Sequence, residues 1–266
     1  MRSIFLSAAV IGLATAAGLP LMSHHQAGPK VSAADTLTSG VREWDTEKVS
    51  SSGQREIRLV LKGATHDLSL LDIRAITLNT GQTMSTSTDN ADDLLIMKEG
   101  ELTITDGGIT KQLGPGGIAL LPAGQVYHTA YKGTTAATWY LFRFVSRSPD
   151  DSSRTQQPFL LDWPEMTMKK TDKGESRQIF SQPTPWLTKI DMHATTLNPG
   201  EVSHLPHIHR AEEIILMRSG HVQMYINGQH YPAAGGDLVF LASGNPHALE
   251  NKSPDRCEYF ALHWQQ

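Results

Sequence analysis

The phrase Leu71-Asp-Ile-Arg-Ala-Ile-Thr-Leu-Asn-Thr-Gly81 returns, little changed, as Ile190-Asp-Met-His-Ala-Thr-Thr-Leu-Asn-Pro-Gly200. From Asp72 and Asp191 onward, six of ten positions are identical. An offset of 120 then carries Gly100 onto Gly220, Gly108 onto Gly228, Gly116 onto Gly236 and Gly124 onto Gly244. Self-similarity at this length means duplication of a whole domain, not a solenoid repeat. Each copy alternates short runs rich in Val, Ile, Leu, Thr and Tyr with turn residues, which is the pattern of strands. Leu102-Thr-Ile-Thr precedes Asp106-Gly-Gly, and Val222-Gln-Met-Tyr-Ile precedes Asn227-Gly, a strong hairpin signal. The chain is therefore expected to be all-β, with two β-barrels in tandem at residues 41–146 and 161–266. The polar, proline-bounded stretch 147–160 reads as their linker.

The second copy carries chemistry. Gly200-Glu-Val-Ser-His-Leu-Pro-His207-Ile-His209-Arg-Ala-Glu-Glu213 places two imidazoles two residues apart and a carboxylate four residues later. On a strand, residues i and i+2 share a face, so His207 and His209 can aim at one point. Residues 210–212 can then turn the chain, and Glu213 can open the next strand toward the same point. Such a set suits a divalent transition metal and leaves coordination positions open. A fourth candidate, His247, follows in Gly236-Asp-Leu-Val-Phe-Leu-Ala-Ser-Gly244-Asn-Pro-His247-Ala-Leu-Glu-Asn251. A single strand histidine is ordinarily a hydrogen-bonded or surface group. Here, however, eight of the twelve histidines fall between His193 and His263.

These two blocks resemble the paired motifs of the cupin superfamily, G-x5-H-x-H-x3,4-E-x6-G and G-x5-P-x-G-x2-H-x3-N. The second block fits except that Ala242 stands where proline is usual, and the first has one extra residue between Gly200 and His207. The resemblance covers about residues 41–266 and implies a bicupin, two jelly-roll barrels in tandem. It also implies His207, His209, Glu213 and His247 as the metal ligands. Three imidazoles and one carboxylate accept one divalent transition metal, whether Mn, Fe, Ni, Co or Zn. Ureidoglycine aminohydrolases share the two-copy layout, but their ligands include a glutamine at different spacing. Oxalate decarboxylase-like bicupins share the ligand set but carry it in both barrels.

Carried back along the repeat, His207, His209, Glu213 and His247 fall on Ser87, Asp89, Asp93 and Tyr127, with His128 one place out of register. No imidazole remains at a ligand position, so the N-terminal barrel is expected to be a structural or dimerisation partner without a metal. In Glu213-Ile-Ile-Leu-Met, alternation puts Ile215 and Met217 on the metal face and Ile214 and Leu216 on the other. With both faces apolar, the outer face must be covered by another sheet edge, the N-terminal barrel or a second subunit in a homodimer.

Arg2, an apolar stretch from Ile4 to about Met22 and a polar segment after it have the order of a secretory signal peptide. Residues 1–33 are accordingly read as signal peptide and leader, cleaved after Ala16 or Ala33, and the protein as exported, periplasmic or secreted. No stable membrane association is expected after cleavage. A net charge of −4 offers no basic footprint for nucleic acid. The single cysteine, Cys257, excludes an intrachain disulfide and lies outside both motifs.

Two functional readings follow. One is an exported metalloenzyme acting on a small oxygen-rich molecule such as a carboxylate, diol, enediol or sugar acid. The other is a non-catalytic binding protein for a sugar or small organic acid. Open coordination positions favour the enzyme, while the lack of a second recognisable acid/base motif favours the binder. His204, beside the ligands, is the expected catalytic residue, with a substitute ligand or a rim residue as its alternatives. Arg177, His193, Tyr225 and His263 are further candidates for orienting a substrate. A dioxygenase, isomerase, decarboxylase and hydrolase are not distinguished, because the fold does not name the reaction.

Overall fold

The structure is a computed structural model that describes residues 36–266 apart from 54, 80–82, 89–90, 107, 132–134 and 148–156. The leader 1–33, Asp89 and most of the expected linker thus lie outside the described residues. Among the described residues the protein is all-β, with two single-turn 3-10 helices and no α-helix.

Two seven-stranded sheets correspond strand for strand. The first runs Phe159–Leu161, Ile118–Leu121, Asp92–Glu99, Ala137–Ser146, Leu68–Leu78, Arg55–Gly63 and Val49–Ser52. The second runs Gly40–Arg42, Leu238–Leu241, Glu212–Ser219, Cys257–Gln265, Lys189–Leu197, Gly174–Gln182 and Lys169–Thr171. A four-stranded sheet from residues 83–130 faces the first, and a three-stranded sheet from residues 221–250 faces the second. Each facing pair encloses its own apolar core. One core holds Leu95, Met97, Ile104, Tyr127 and Trp139, and the other Ile215, Met217, Met224, Leu241 and Leu249. Alternation along the strands explains why each large sheet can do more than line a barrel. Ile214 and Leu216 point out of the C-terminal barrel, where they join Leu94, Ile96, Phe142, Phe144 and Trp264 in a third core. The outer face of the metal-motif strand is therefore covered by the N-terminal half of the same chain.

The two halves exchange edge strands. Gly40–Arg42 pairs antiparallel with Leu238–Leu241, and Phe159–Leu161 pairs with Ile118–Leu121. A tryptophan follows each exchanged strand and closes over a glycine of the other half. Trp44 packs against Gly236 (φ +101°) and Trp163 against Gly116 (φ +88°), where a Cβ would meet the indole at 3.2 and 2.8 Å. Cations cover both indoles, Arg58 and Lys98 at 4.3 and 4.7 Å from Trp44, Arg177 and Arg218 at 4.6 and 4.0 Å from Trp163.

Buried carboxylates join the halves in the same reciprocal way. Glu212 accepts hydrogen bonds from Thr65 Oγ1 at 2.5 Å and from the amide of His66 at 2.8 Å. Asp92, its counterpart, accepts from Thr184 Oγ1 and from the amide of Ala123. The hairpin expected at Asn227-Gly228 is present, both residues having positive φ (50° and 83°) as a type I′ turn requires.

Candidate metal centre

The imidazole pair of the His-x-His segment is held by a neighbouring strand as well as by its own spacing. His207 forms an isolated antiparallel bridge with His247, each amide donating to the other's carbonyl at 3.1 Å. Their rings consequently stand 4.5 Å apart, centre to centre, and His209 lies 5.1 Å from His207 and 4.9 Å from His247. Ligand atoms of His207, His209 and His247 lie within 4.8 Å of one another, as do those of His209, Glu213 and His263. The structure thus brings together all four residues expected as ligands. Glu213 and His247 are almost fully buried, at 4 % and 3 % exposure.

Hydrogen bonding fixes which nitrogens face inward. Nδ1 of His209 lies 2.8 Å from the carbonyl of Ala211, and Nδ1 of His247 lies 2.9 Å from that of Asn245. A carbonyl can only accept, so both Nδ1 atoms carry protons and each neutral ring presents an Nε2 lone pair. Those two Nε2 atoms converge on Glu213 Oε2 at 3.2 and 3.1 Å. Lone pairs facing a carboxylate at that range call for a cation between them. Either both rings take a second proton or a metal ion is shared, and this donor set fits the ion. His207 Nδ1 and His247 Nε2 are buried without a hydrogen-bond partner, as ligands awaiting an ion would be.

Electrostatics agree. Burial alone would raise the Glu213 carboxyl, but the imidazoles of His209, His247 and His263 close around it outweigh burial and hold the group well below the usual carboxylate range. Contact with Glu213 raises the His209 imidazole, whereas burial and then neighbouring imidazoles lower His207.

The centre opens into a cavity of about 520 Å³. Ile215, Met224, Leu241 and Leu249 supply aliphatic wall, and Thr171, Lys173, Glu175 and Thr195 polar wall. His204 lines this cavity, its ring 4.0 Å from that of His207. Its Nδ1 faces the Leu205 carbonyl at 3.2 Å, and burial lowers its basicity. His193 and His263 line the cavity too, but Arg177 and Tyr225 do not. Arg177 stacks on Trp163 and pairs with Glu175, and Tyr225 packs on His230 in the hairpin. A smaller cavity of about 180 Å³, lined by Lys189, Asp191, His209, Ala211 and His263, adjoins the centre from another direction.

Two supports of the site have no local signature in the sequence. Arg210 forms a two-pronged ion pair with buried Asp67 at 2.8 and 2.9 Å, tying the His-x-His loop to the N-terminal half. His263 Nε2 lies 3.1 Å from Glu213 Oε1. The duplicated sequence offered one signal for the second contact, since an offset of 120 from Arg143 lands on His263.

In the N-terminal barrel Asp93, the counterpart of Glu213, is held by side chains of its own barrel. Arg143 Nε and Nη2 reach the two oxygens of Asp93 at 2.9 and 3.2 Å, and Tyr127 donates to Asp93 Oδ2 at 3.2 Å. A guanidinium neutralises the carboxylate there. His128 is exposed and bonds Ser85 at 2.7 Å, away from that interior.

Known proteins share the fold. A family model for the cupin domain matches residues 193–263, which hold every residue of the centre. The fold is similar to that of a protein described as glyoxylate-induced from Pseudomonas aeruginosa, with TM-score 0.71 at 16% identity over 89% of this chain and 92% of that one. It is similar to protein YlbA from E. coli (TM-score 0.70, 14% identity, 90% and 95% covered). It also resembles a variant of oxalate decarboxylase from Bacillus subtilis (TM-score 0.65, 12% identity, 86% and 78% covered). No curated protein sequence matches the chain.

Proposed function

We infer that this chain, a member of the cupin superfamily with the two-barrel fold of the bicupins, is an exported metal-dependent enzyme acting on a small oxygen-rich molecule. A carboxylate, a diol or enediol, or a sugar acid is the substrate class. The observation that carries this reading is the convergence of two Nε2 lone pairs on Glu213 Oε2 beside a cavity of about 520 Å³. His207, His209, Glu213 and His247 would hold one divalent ion of Mn, Fe, Ni, Co or Zn. When bound, such an ion supplies Lewis acidity toward an oxygen-bearing substrate.

The chain's own residues do the remaining work. Aliphatic side chains on one side of the cavity limit water, which strengthens every polar interaction within it. His204 has its Nδ1 proton on the Leu205 carbonyl, so Nε2 is the nitrogen that accepts a proton. Burial keeps that ring neutral near pH 7, the state a general base needs.

Metal analysis of the protein, followed by a turnover screen of oxalate, glyoxylate, uronates, diketones and catechols, tests the reading. Oxalate and glyoxylate come first because the similar structures include an oxalate decarboxylase and a glyoxylate-induced protein. About one ion per chain with turnover of a screened compound is the expected result. An ion without turnover, but with a ligand-induced rise in Tm, would make the protein a binder of a sugar or small acid. No uptake of any of the five metals would remove the metal centre altogether. Export is checked separately, by following the full chain and its N-terminus in cell fractions.

A further inference from the structure

We propose that His263 is a positioning residue that clamps the far oxygen of Glu213, so that the carboxylate offers the ion one oxygen only. The inference rests on the metal reading above and deepens it.

Three neighbouring strands set the geometry. Glu213, His263 and Asp191 are direct cross-strand partners on Glu212–Ser219, Cys257–Gln265 and Lys189–Leu197, and so form one row across the sheet. The row points His263 Nε2 at Glu213 Oε1, 3.1 Å away, and not at Oε2, where His209 and His247 converge. The two carboxylate oxygens are thereby divided, Oε2 toward the ligand cluster and Oε1 toward His263. Asp191 stands behind, its Oδ1 4.0 Å from His263 Nδ1.

The duplicated barrel provides an internal comparison. There the same row is Asp93, Arg143 and Asp72, paired across the equivalent strands. Arg143 occupies the place of His263 and grips both oxygens of Asp93. An arginine is not a metal ligand, and it has no acceptor nitrogen. What both barrels share at this strand position is therefore a donor holding the motif carboxylate. A direct ion ligand in one copy would leave the other copy's residue unexplained.

The test titrates Mn(II) into metal-free full-length protein against a chelating dye and records the EPR spectrum of the loaded form. His263→Ala should weaken Mn(II) binding by about 10- to 100-fold, the usual loss when a residue supporting a ligand is removed. It should also alter the EPR spectrum, because Glu213 is freed to turn both oxygens to the ion. His263→Gln, whose amide N–H can reach Oε1, should restore both affinity and spectrum. Should the alanine variant not fold, His263→Phe fills the same space without a donor and takes its place.

Unchanged affinity and spectrum in His263→Ala would overturn the proposal. So would a glutamine variant that loses the ion as fully as alanine does, since His263 would then be a ligand itself. A wild-type protein that takes up no Mn(II) but holds another ion moves the titration to that ion, with affinity as the readout. No uptake of any ion by the wild type is a different failure, that of the metal reading, and it removes this inference with it.

Discussion

His209 and His247 each donate one ring N–H to a backbone carbonyl, and this decides what the second nitrogen can do. Removing either ring deletes a lone pair aimed at Glu213 Oε2. His247→Ala should therefore lower metal occupancy well below that of wild type in metal analysis. His204 lies against His207, but its ligand atoms belong to neither close-set group. His204→Ala should keep its metal and lose turnover by about 10²–10⁴-fold, the range for a missing general base. His128→Ala, altering an exposed residue of the other barrel, should change neither property. If His204→Ala emptied the site while His207→Ala did not, the extra residue after Gly200 would have shifted the ligand register.

Exchanged strands and buried carboxylates make each half depend on the other. Trp44 is half-buried, anchors the first exchanged strand over Gly236 and donates its amide N–H to Asp237 Oδ1 at 2.8 Å. Trp44→Ala should cost about 3 kcal/mol, the low end for a large aromatic deletion because the ring is only partly covered. Urea unfolding would show it as a lower midpoint. Asp92 supplies a pH dependence of definite sign. Burial raises its carboxyl from 3.8 to about 6, against opposing hydrogen bonds from Thr184 and Ala123. The folded protein therefore holds a proton that the unfolded chain has released, and that contribution is complete below about pH 4. It is lost as pH rises through about 6. Relative to Asp92→Asn, the wild type should lose up to about 3 kcal/mol of stability between pH 4 and pH 7. Parallel stability curves for the two proteins would show that Asp92 does not titrate in this window.

At the scale of the whole molecule, the metal and the fold are separable. Among the described residues, packing rests on three apolar cores, none of which includes a ligand side chain. A chelator should therefore lower Tm while leaving the β circular dichroism intact, because an ion bound only to the native state stabilises it by mass action. Unfolding on chelation, as in a zinc finger, would mark the site as structural. Uptake should stop near one equivalent, since Arg143 already neutralises Asp93 in the N-terminal barrel. Two equivalents of similar affinity in a metal titration would contradict that.

What the sequence determined by itself was local or periodic. Strand alternation, turn glycines and a 120-residue echo define two β-barrels, because each is a statement about residues close along the chain or related by one offset. His207 and His209 came to one site as their spacing suggested, but residues 207–209 form no strand and His207 is placed by its bridge to His247. Ile214 and Ile215 divided between outer and inner cores as alternation requires. Sheet order was a different matter. Nothing local in Gly40–Arg42 says that it hydrogen-bonds residues 238–240, nor in Asp67 that it holds Arg210. His263 looked like a residue for orienting substrate, and only its cross-strand place beside Glu213 shows what it touches. Neighbours across a sheet are chosen by how whole strands pack to bury their apolar faces, and that choice is made by the folded chain as a unit.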